Sequence, residues 1–152
     1  MECSSESVEK AFLLKCKELR ESIPADFSGI ALKKQSGLDI TWPFASGNRN
    51  EKYKYITVRY GKGIAGKVIL TNRWMEIEDF PLNIDGKSTD YPIMLAEKLT
   101  TAFATPILWK GMPEGVLLIG FRTPYRLIET DYDKVKQTAR QIEALLPLYF
   151  SE

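Results

Sequence analysis

Two glycines one residue apart fix the middle of this chain, in Tyr60-Gly61-Lys62-Gly63-Ile64-Ala65-Gly66-Lys67-Val68. A strand-like run, residues 53–60, feeds into them, and a helical pattern from Ile64 to Leu70 leaves them. Glycines so placed let the backbone turn sharply and leave little side chain in the way. A helix that starts at such a turn points unpaired N–H groups, and the positive end of its dipole, at whatever precedes it. That geometry suits a small anion or a polar ligand group. It equally serves a plain strand-to-helix turn, so the stretch by itself leaves both readings open.

Composition narrows the chemistry. The 152 residues suit one domain, and 44% apolar content is ordinary for a globular chain. Net charge is +1, from 21 basic and 20 acidic residues, too small to draw nucleic acid or a charged membrane over distance. Anion recognition, where there is any, is local. There is no histidine, which removes a Ser-His-Asp triad, a Cys-His pair and the commonest zinc ligand. No metal or cofactor is expected. Cys3 and Cys16 lie outside any CxxC pattern and are expected to be reduced, as in a cytoplasmic protein. No 18-residue apolar run exists, and the N-terminus lacks the features of a signal peptide.

Periodicity predicts a helix over residues 6–22, with Val8, Phe12, Cys16 and Leu19 as its stripe and Ala11, Leu13 and Leu14 widening it. Ser4 or Ser5 is the expected cap. Two strands follow, about 28–34 and 38–45, joined by the turn Gln35-Ser36-Gly37. Pro43 cannot donate to a ladder, so the second strand is interrupted or lies at an edge there. A third strand is expected over 54–58, the central helix over 64–71 ending at Asn72, and a short strand over 74–77.

Residues 79–90 read as a surface loop, and 91–99 as a second short helix with Pro92 in its first turn and Asp90 or Thr89 as cap. Residues 101–109 and 116–121 form a hairpin around the loop 110–115, the return strand being the most apolar and so central. A last helix covers 129–150, its stripe Val135, Ala139, Ile142, Leu145 or Leu146, and Tyr149, with Pro147 kinking or ending it. The fold class is α+β with a mostly antiparallel sheet in a single domain, residues 1–152.

The motifs in this order resemble the GAF domain. Gly61-Lys62-Gly63-Ile64-Ala65-Gly66 followed by Val68 looks like that family's GxGxxGxV turn into its pocket helix, and Trp74-Met75-Glu76-Ile77-Glu78-Asp79 like the strand after it. Thr105-Pro106-Ile107 and Gly115-Val116-Leu117-Leu118-Ile119 look like its central hairpin, and Asp131 with the stripe beyond it like its closing helix. The resemblance implies a six-stranded sheet with the terminal helices on one face and a ligand pocket on the other.

Trp42, the Gly-Ile-Ala-Gly turn, and Asp90-Tyr91-Pro92-Ile93-Met94 further resemble the free-standing GAF proteins that act as bacterial nitrate receptors. That resemblance implies nitrate held by the Trp42 indole and by backbone N–H groups of Ile64, Ala65 and Ile93, with Tyr91 and Pro92 walling the pocket. It also implies a role in signal transduction: reporting nitrate to a sensor histidine kinase of a two-component system that controls nitrate respiration. The loop 79–90 and the helix after it are then the natural switch. Whether the chain works as a homodimer stays open.

The chemistry agrees with a nitrate seat. Nitrate offers only acceptors, the indole Nε1–H is a donor without an acceptor, and N–H groups at helix starts are donors already oriented. Without the resemblance, Trp42 reads as a core or edge-strand residue, Tyr91-Pro92 as a turn, Trp74 and Trp109 as packing or surface aromatics, and Lys52, Lys54, Arg59, Lys62 and Lys67 as a solvated face. Other GAF ligands, a structural adaptor, and a free-methionine sulfoxide reductase remain as alternatives. The last needs pocket cysteines, and no thiol follows residue 16, so the chain is not expected to be an enzyme.

Overall fold

The apolar spacing of the first segment becomes helix α1, Ser5–Ser22, in a computed structural model that describes residues 5–150. Residue 4 as a cap, and Cys3, lie outside the described residues. After α1 come β1 (Phe27–Lys33), β2 (Asp39–Ser46), β3 (Thr57–Arg59), α2 (Gly63–Thr71), β4 (Met75–Ile77), α3 (Pro92–Ala96), β5 (Thr101–Trp109), β6 (Met112–Phe121) and α4 (Glu129–Phe150). The six strands form one sheet in the order β3-β2-β1-β6-β5-β4, every neighbouring pair antiparallel. The α+β class and the central place of residues 116–121 are as expected. None of the described helices is long and apolar enough to cross a membrane.

Strand alternation sends side chains to two cores, one on each face. On one face Ile30, Leu32, Phe103, Ile107, Leu117, Ile119 and Phe121 meet Val8, Phe12, Cys16 and Leu19 of α1 and Val135, Ala139, Ile142 and Leu146 of α4. On the other, Ala31, Ala102, Ala104, Val116 and Leu118 meet Ile64, Ala65, Val68 and Ile69 of α2 and Ile93 and Met94 at α3. Three alanines on this face let α2 sit close to the sheet.

Pro43 has a specific consequence. Ile30 pairs with Phe44 but Leu32 pairs with Thr41, so β2 carries one residue more than β1 across the Trp42-Pro43 step. This is a β-bulge, and it reverses which face the next side chain takes. Ile40 and Trp42 face α2, whereas Phe44 turns to the terminal helices, its ring 5.2 Å from Phe12 and 5.8 Å from Tyr149. The strand is also at a free edge there, because β3 pairs only with residues 39–41.

Several boundaries differ from expectation. Lys52–Tyr55 is a 3-10 turn, so the third strand keeps only three residues. The helix expected over 91–99 stops at Ala96, and its N-cap is Tyr91, with no side-chain cap from Asp90 or Thr89. The Asp90 carboxylate instead accepts the Lys87 N–H at 2.9 Å. The hairpin loop shrinks to Lys110-Gly111, both at positive φ, and β6 begins at Met112. Pro147 does not end α4; beyond it Tyr149 packs edge-on to Phe12 and Phe150 lies 5.0 Å from Trp109. Leu13 and Leu14 are exposed rather than part of the α1 stripe, since a helix against one sheet face buries only a limited arc.

Past Ala104, β5 runs beyond its partner β4, and α4 closes that open edge. Arg140 donates to the Pro106 carbonyl at 3.2 Å, and the Glu143 carboxylate accepts the Leu108 N–H at 2.7 Å. Glu143→Ala should cost about 1–3 kcal/mol by orphaning that N–H, and the exposed Arg140→Ala less than about 1 kcal/mol. Urea unfolding of both variants measures the difference; equal losses would refute the assignment.

Burial pushes the Cys16 thiol up to about 12, and a hydrogen bond to Glu76, then burial, push the Tyr132 hydroxyl up to about 12. Both groups keep their protons in the fold at pH values where the unfolded chain loses them. Their contribution is therefore intact below about pH 9 and declines as pH rises toward 12. Unfolding midpoints measured from pH 8 to 11 should fall across that window.

Candidate functional site

The glycine turn sets the geometry. Gly61 and Gly63 take positive φ, +84° and +64°, which non-glycine residues rarely adopt. Gly66 has a different role: a Cβ there would stand 2.5 Å from the Arg59 carbonyl oxygen. The backbone of α2 thus lies against the strand it has just left. Lys62, its N-cap, supplies no side-chain hydrogen bond, so the first-turn N–H groups stay available. Asn72 closes the helix in the left-handed conformation, as expected.

The start of α3 meets the start of α2. A Cβ on Gly63 would stand 3.4 Å from the carbonyl oxygen of Asp90, the residue before Tyr91. Pro92 takes the first position of α3, where its missing N–H removes nothing, and Ile93 carries the next N–H. Between these two turns and β2 lies a narrow cleft, too tight in this structure to admit a water molecule, lined by Trp42, Val58, Gly63, Ile64, Ala65, Pro92 and Ile93. Five of the six residues singled out from sequence therefore line one space. Trp42, Ile64, Ala65 and Ile93 are almost completely buried. Val58 and Gly63 are additional lining residues, legible only as parts of the strand and turn that flank the site.

Tyr91, the sixth, is not among the lining residues. It is fully buried behind them, and its hydroxyl links two elements. It donates to the Asp85 carbonyl at 2.8 Å and accepts from the Lys67 ammonium at 3.0 Å. Lys67 is thus half-buried against the site and not part of a solvated face. Its spacing from Gly63 and Ile64, four and three residues, was the signal that places it on their side of the helix.

Glu97, the residue at which α3 ends, is fully buried. One carboxylate oxygen accepts from the Arg49 backbone N–H at 2.8 Å and from the Arg122 guanidinium at 2.6 Å. Arg122 also donates to the carbonyls of Gly47 and Glu97. A buried pair of this kind is costly to break from one side, so it pins the far end of α3 to the loop after β2. Glu97 is a lone acid in an otherwise apolar run, a signal that the helical pattern concealed.

The wider spaces lie elsewhere. A groove of about 660 Å³, open to solvent, is lined by Arg73, Trp74, Pro106, Lys136, Arg140 and neighbours, and none of the predicted site residues borders it. Trp74 is half exposed there and lies 5.7 Å from the Phe103 ring, a packing role. Cys16 lies in the core beneath the terminal helices, on the opposite face of the sheet from the cleft.

No family model matches the chain. A curated relative, the HTH-type transcriptional activator RamA of Corynebacterium glutamicum, is 28% identical over 103 residues, 67% of this chain and 36% of the relative, so the chain spans about a third of that protein's length. Among solved structures, the GAF domain of a phosphoenolpyruvate-protein phosphotransferase from Coxiella burnetii superimposes with a TM-score of 0.77 at 21% identity, over 92% of this chain and 82% of that one. A type II free methionine-R-sulfoxide reductase from Thermoplasma acidophilum gives 0.76 at 17% identity, over 96% of each chain. These two establish the fold alone.

A Staphylococcus aureus NreA protein, mutated in its nitrate binding site, is 34% identical with a TM-score of 0.73, over 80% of this chain and 91% of that one. With that identity carried along nearly the whole length of a protein of the same fold, the chain belongs to the NreA family of GAF-domain proteins.

Proposed function

We propose that this chain is a nitrate sensor, which binds nitrate in the cleft between β2 and the starts of α2 and α3. The observation that carries the reading is the lining of that narrow cleft: an indole and two chain turns rich in N–H donors. Relatedness to a protein with a nitrate binding site supports it. The cleft is closed to a water-sized sphere in this structure, so an occupant of a few atoms requires it to widen a little and a cyclic nucleotide would require it to widen far more. In this reading the Trp42 Nε1–H and the backbone N–H groups of Ile64, Ala65 and Ile93 donate to the nitrate oxygens. Pro92 forms the wall, and Tyr91 braces it from behind.

The downstream part of the proposal is a sensor histidine kinase of a two-component system, whose activity the occupied and free forms bias differently. Ligand acts only through such a difference in affinity between states. The face of α1 and α4 is the proposed contact, and exposed Leu13 and Leu14 on α1 suit it. The protein is proposed to act in the cytoplasm as a binding protein rather than an enzyme. Buried Cys16, with its thiol pushed up to about 12, is a poor nucleophile and faces away from the cleft.

Calorimetric titration with nitrate, and with chloride, nitrite and sulfate, tests the reading. One saturable site for nitrate is expected. Trp42→Phe should weaken it by about 1.5–3 kcal/mol, as for a lost hydrogen bond to a charged group, and Ala65→Pro should abolish it by removing a donor. Wild-type heat that both variants retain would move the site away from this cleft.

A further inference from the structure

We propose that Lys67 is a positioning residue of the anion cleft, which acts through the Tyr91 hydroxyl to hold the 79–90 segment and the start of α3 against α2. This rests on the nitrate-binding reading above.

The argument begins with helix geometry. Side chains on an α-helix lean toward its N-terminus. Lys67 therefore reaches back over the first turn of α2, the turn that carries Gly63, Ile64 and Ala65. There its ammonium meets Tyr91, with Nζ 3.0 Å from the hydroxyl and 5.2 Å from the ring centroid. The hydroxyl, having accepted from Lys67, donates onward to the Asp85 carbonyl at 2.8 Å. Both capacities of the phenol are used, in one direction: ammonium to hydroxyl to carbonyl. The bonds polarise one another in such a chain.

Three separate pieces of backbone are joined by this chain. Lys67 belongs to α2, Asp85 to the middle of the 79–90 segment, and Tyr91 is the N-cap of α3. The ring of Tyr91 is fully buried, with Phe80 edge-on to it at 6.1 Å, so the hydroxyl cannot swing away without unpacking the segment. The next two residues, Pro92 and Ile93, line the cleft. The distance between the two donor-bearing turns is thus set from behind by one lysine. Its charge also makes it the half-buried cation that braces a seat for an anion, while the cleft itself is lined by indole, apolar side chains and backbone.

Four proteins test the inference: Lys67→Met, Lys67→Arg, Tyr91→Phe and the Lys67→Met/Tyr91→Phe double variant. Each is titrated with sodium nitrate, its melting midpoint is taken without nitrate, and trypsin cleavage after Lys87 is timed with and without nitrate. Lys67→Met and Tyr91→Phe should each weaken nitrate binding by about five- to twentyfold, at and below the low end of the range for a lost hydrogen bond involving a charged group, because this bond lies behind the cleft and acts on the ligand only through position. The double variant should be no weaker than the weaker single one, because both remove the same chain of bonds. Lys67→Arg should bind within about twofold of wild type, since it keeps the donor and the charge. Nitrate should slow cleavage after Lys87 in wild type and Lys67→Arg but not in the other three.

A packing role alone would lower the melting midpoint while leaving affinity and nitrate-dependent protection in place, and that result overturns the proposal. Losses that multiply in the double variant overturn it as well. A wild-type protein that binds nitrate beside an equally tight Lys67→Met variant sinks this inference and spares the nitrate reading. A wild-type protein that gives no heat with nitrate sinks both.

Discussion

The backbone of α2 touches the backbone of the chain that leads into it, and the cleft side of the molecule is built on that contact. At Gly66 there is no room for a methyl group beside the Arg59 carbonyl. Any other residue forces the helix outward, and overpacking of this kind costs about 1–3 kcal/mol. Moving α2 outward would separate the Ile64 and Ala65 N–H groups from Trp42 and from the turn at Pro92. The three glycines therefore divide the labour. Gly61 and Gly63 supply left-handed turns, and Gly66 supplies the close approach. The small side chains of Ala31, Ala102 and Ala104 continue the same logic across the sheet.

One sheet separates the cleft from the terminal helices. β1 and β6 are central and buried on both faces, so a displacement on the cleft side is felt by the same strands that carry α1 and α4. The bulge at Trp42-Pro43 makes this concrete. Trp42 borders the cleft, and two residues later Phe44 packs among Phe12 and Tyr149 of the terminal helices. A rigid backbone step thus joins a cleft residue to the opposite core. Around the other side, Glu97 and Arg122 tie the end of α3 to the exit of β6, from which the chain leads to α4.

The sequence carried most of the frame and less of the joints. Apolar runs located β5 and β6, the Gln35-Ser36-Gly37 turn located the β1–β2 hairpin, and the 3.6-residue stripe located α1 and α4, because burial on both faces leaves a run and burial on one helix face leaves a stripe. The glycine turn was legible because few other residues serve there, and Trp42 stood out only through the family resemblance. What escaped were features set by tertiary pairing. The short α3 ends at Ala96 since Glu97 is drawn into a buried ion pair, which no helical period reveals. Residues 52–55 tighten into a 3-10 turn that buries Tyr53, although their composition suits a strand. Lys67 looked like one cation among five on a wet face; only its approach to Tyr91 sets it apart. Leu13 and Leu14 read as core because apolar residues are counted by type, whereas the helix decides by angle.

The same geometry bears on which anions such a cleft favours. Its lining offers dipoles, and the cation behind it is half-buried and shared with a phenol. Dipoles and one partly screened charge offset the desolvation of a monoanion far better than that of a dianion, because the Born penalty grows as the square of the charge, about fourfold for sulfate over nitrate. A protonated oxyanion meets a second obstacle: it brings a hydroxyl donor into a lining whose polar groups are donors, and an unpaired buried donor is costly. A spherical halide fits the charge but cannot direct lone pairs at an indole and at N–H groups from two turns at once. A planar, weakly hydrated monoanion that only accepts hydrogen bonds meets all three conditions. On the proposed reading, discrimination would follow from the absence of a fully buried counter-charge, and so would ready release, which a sensor needs as much as it needs binding.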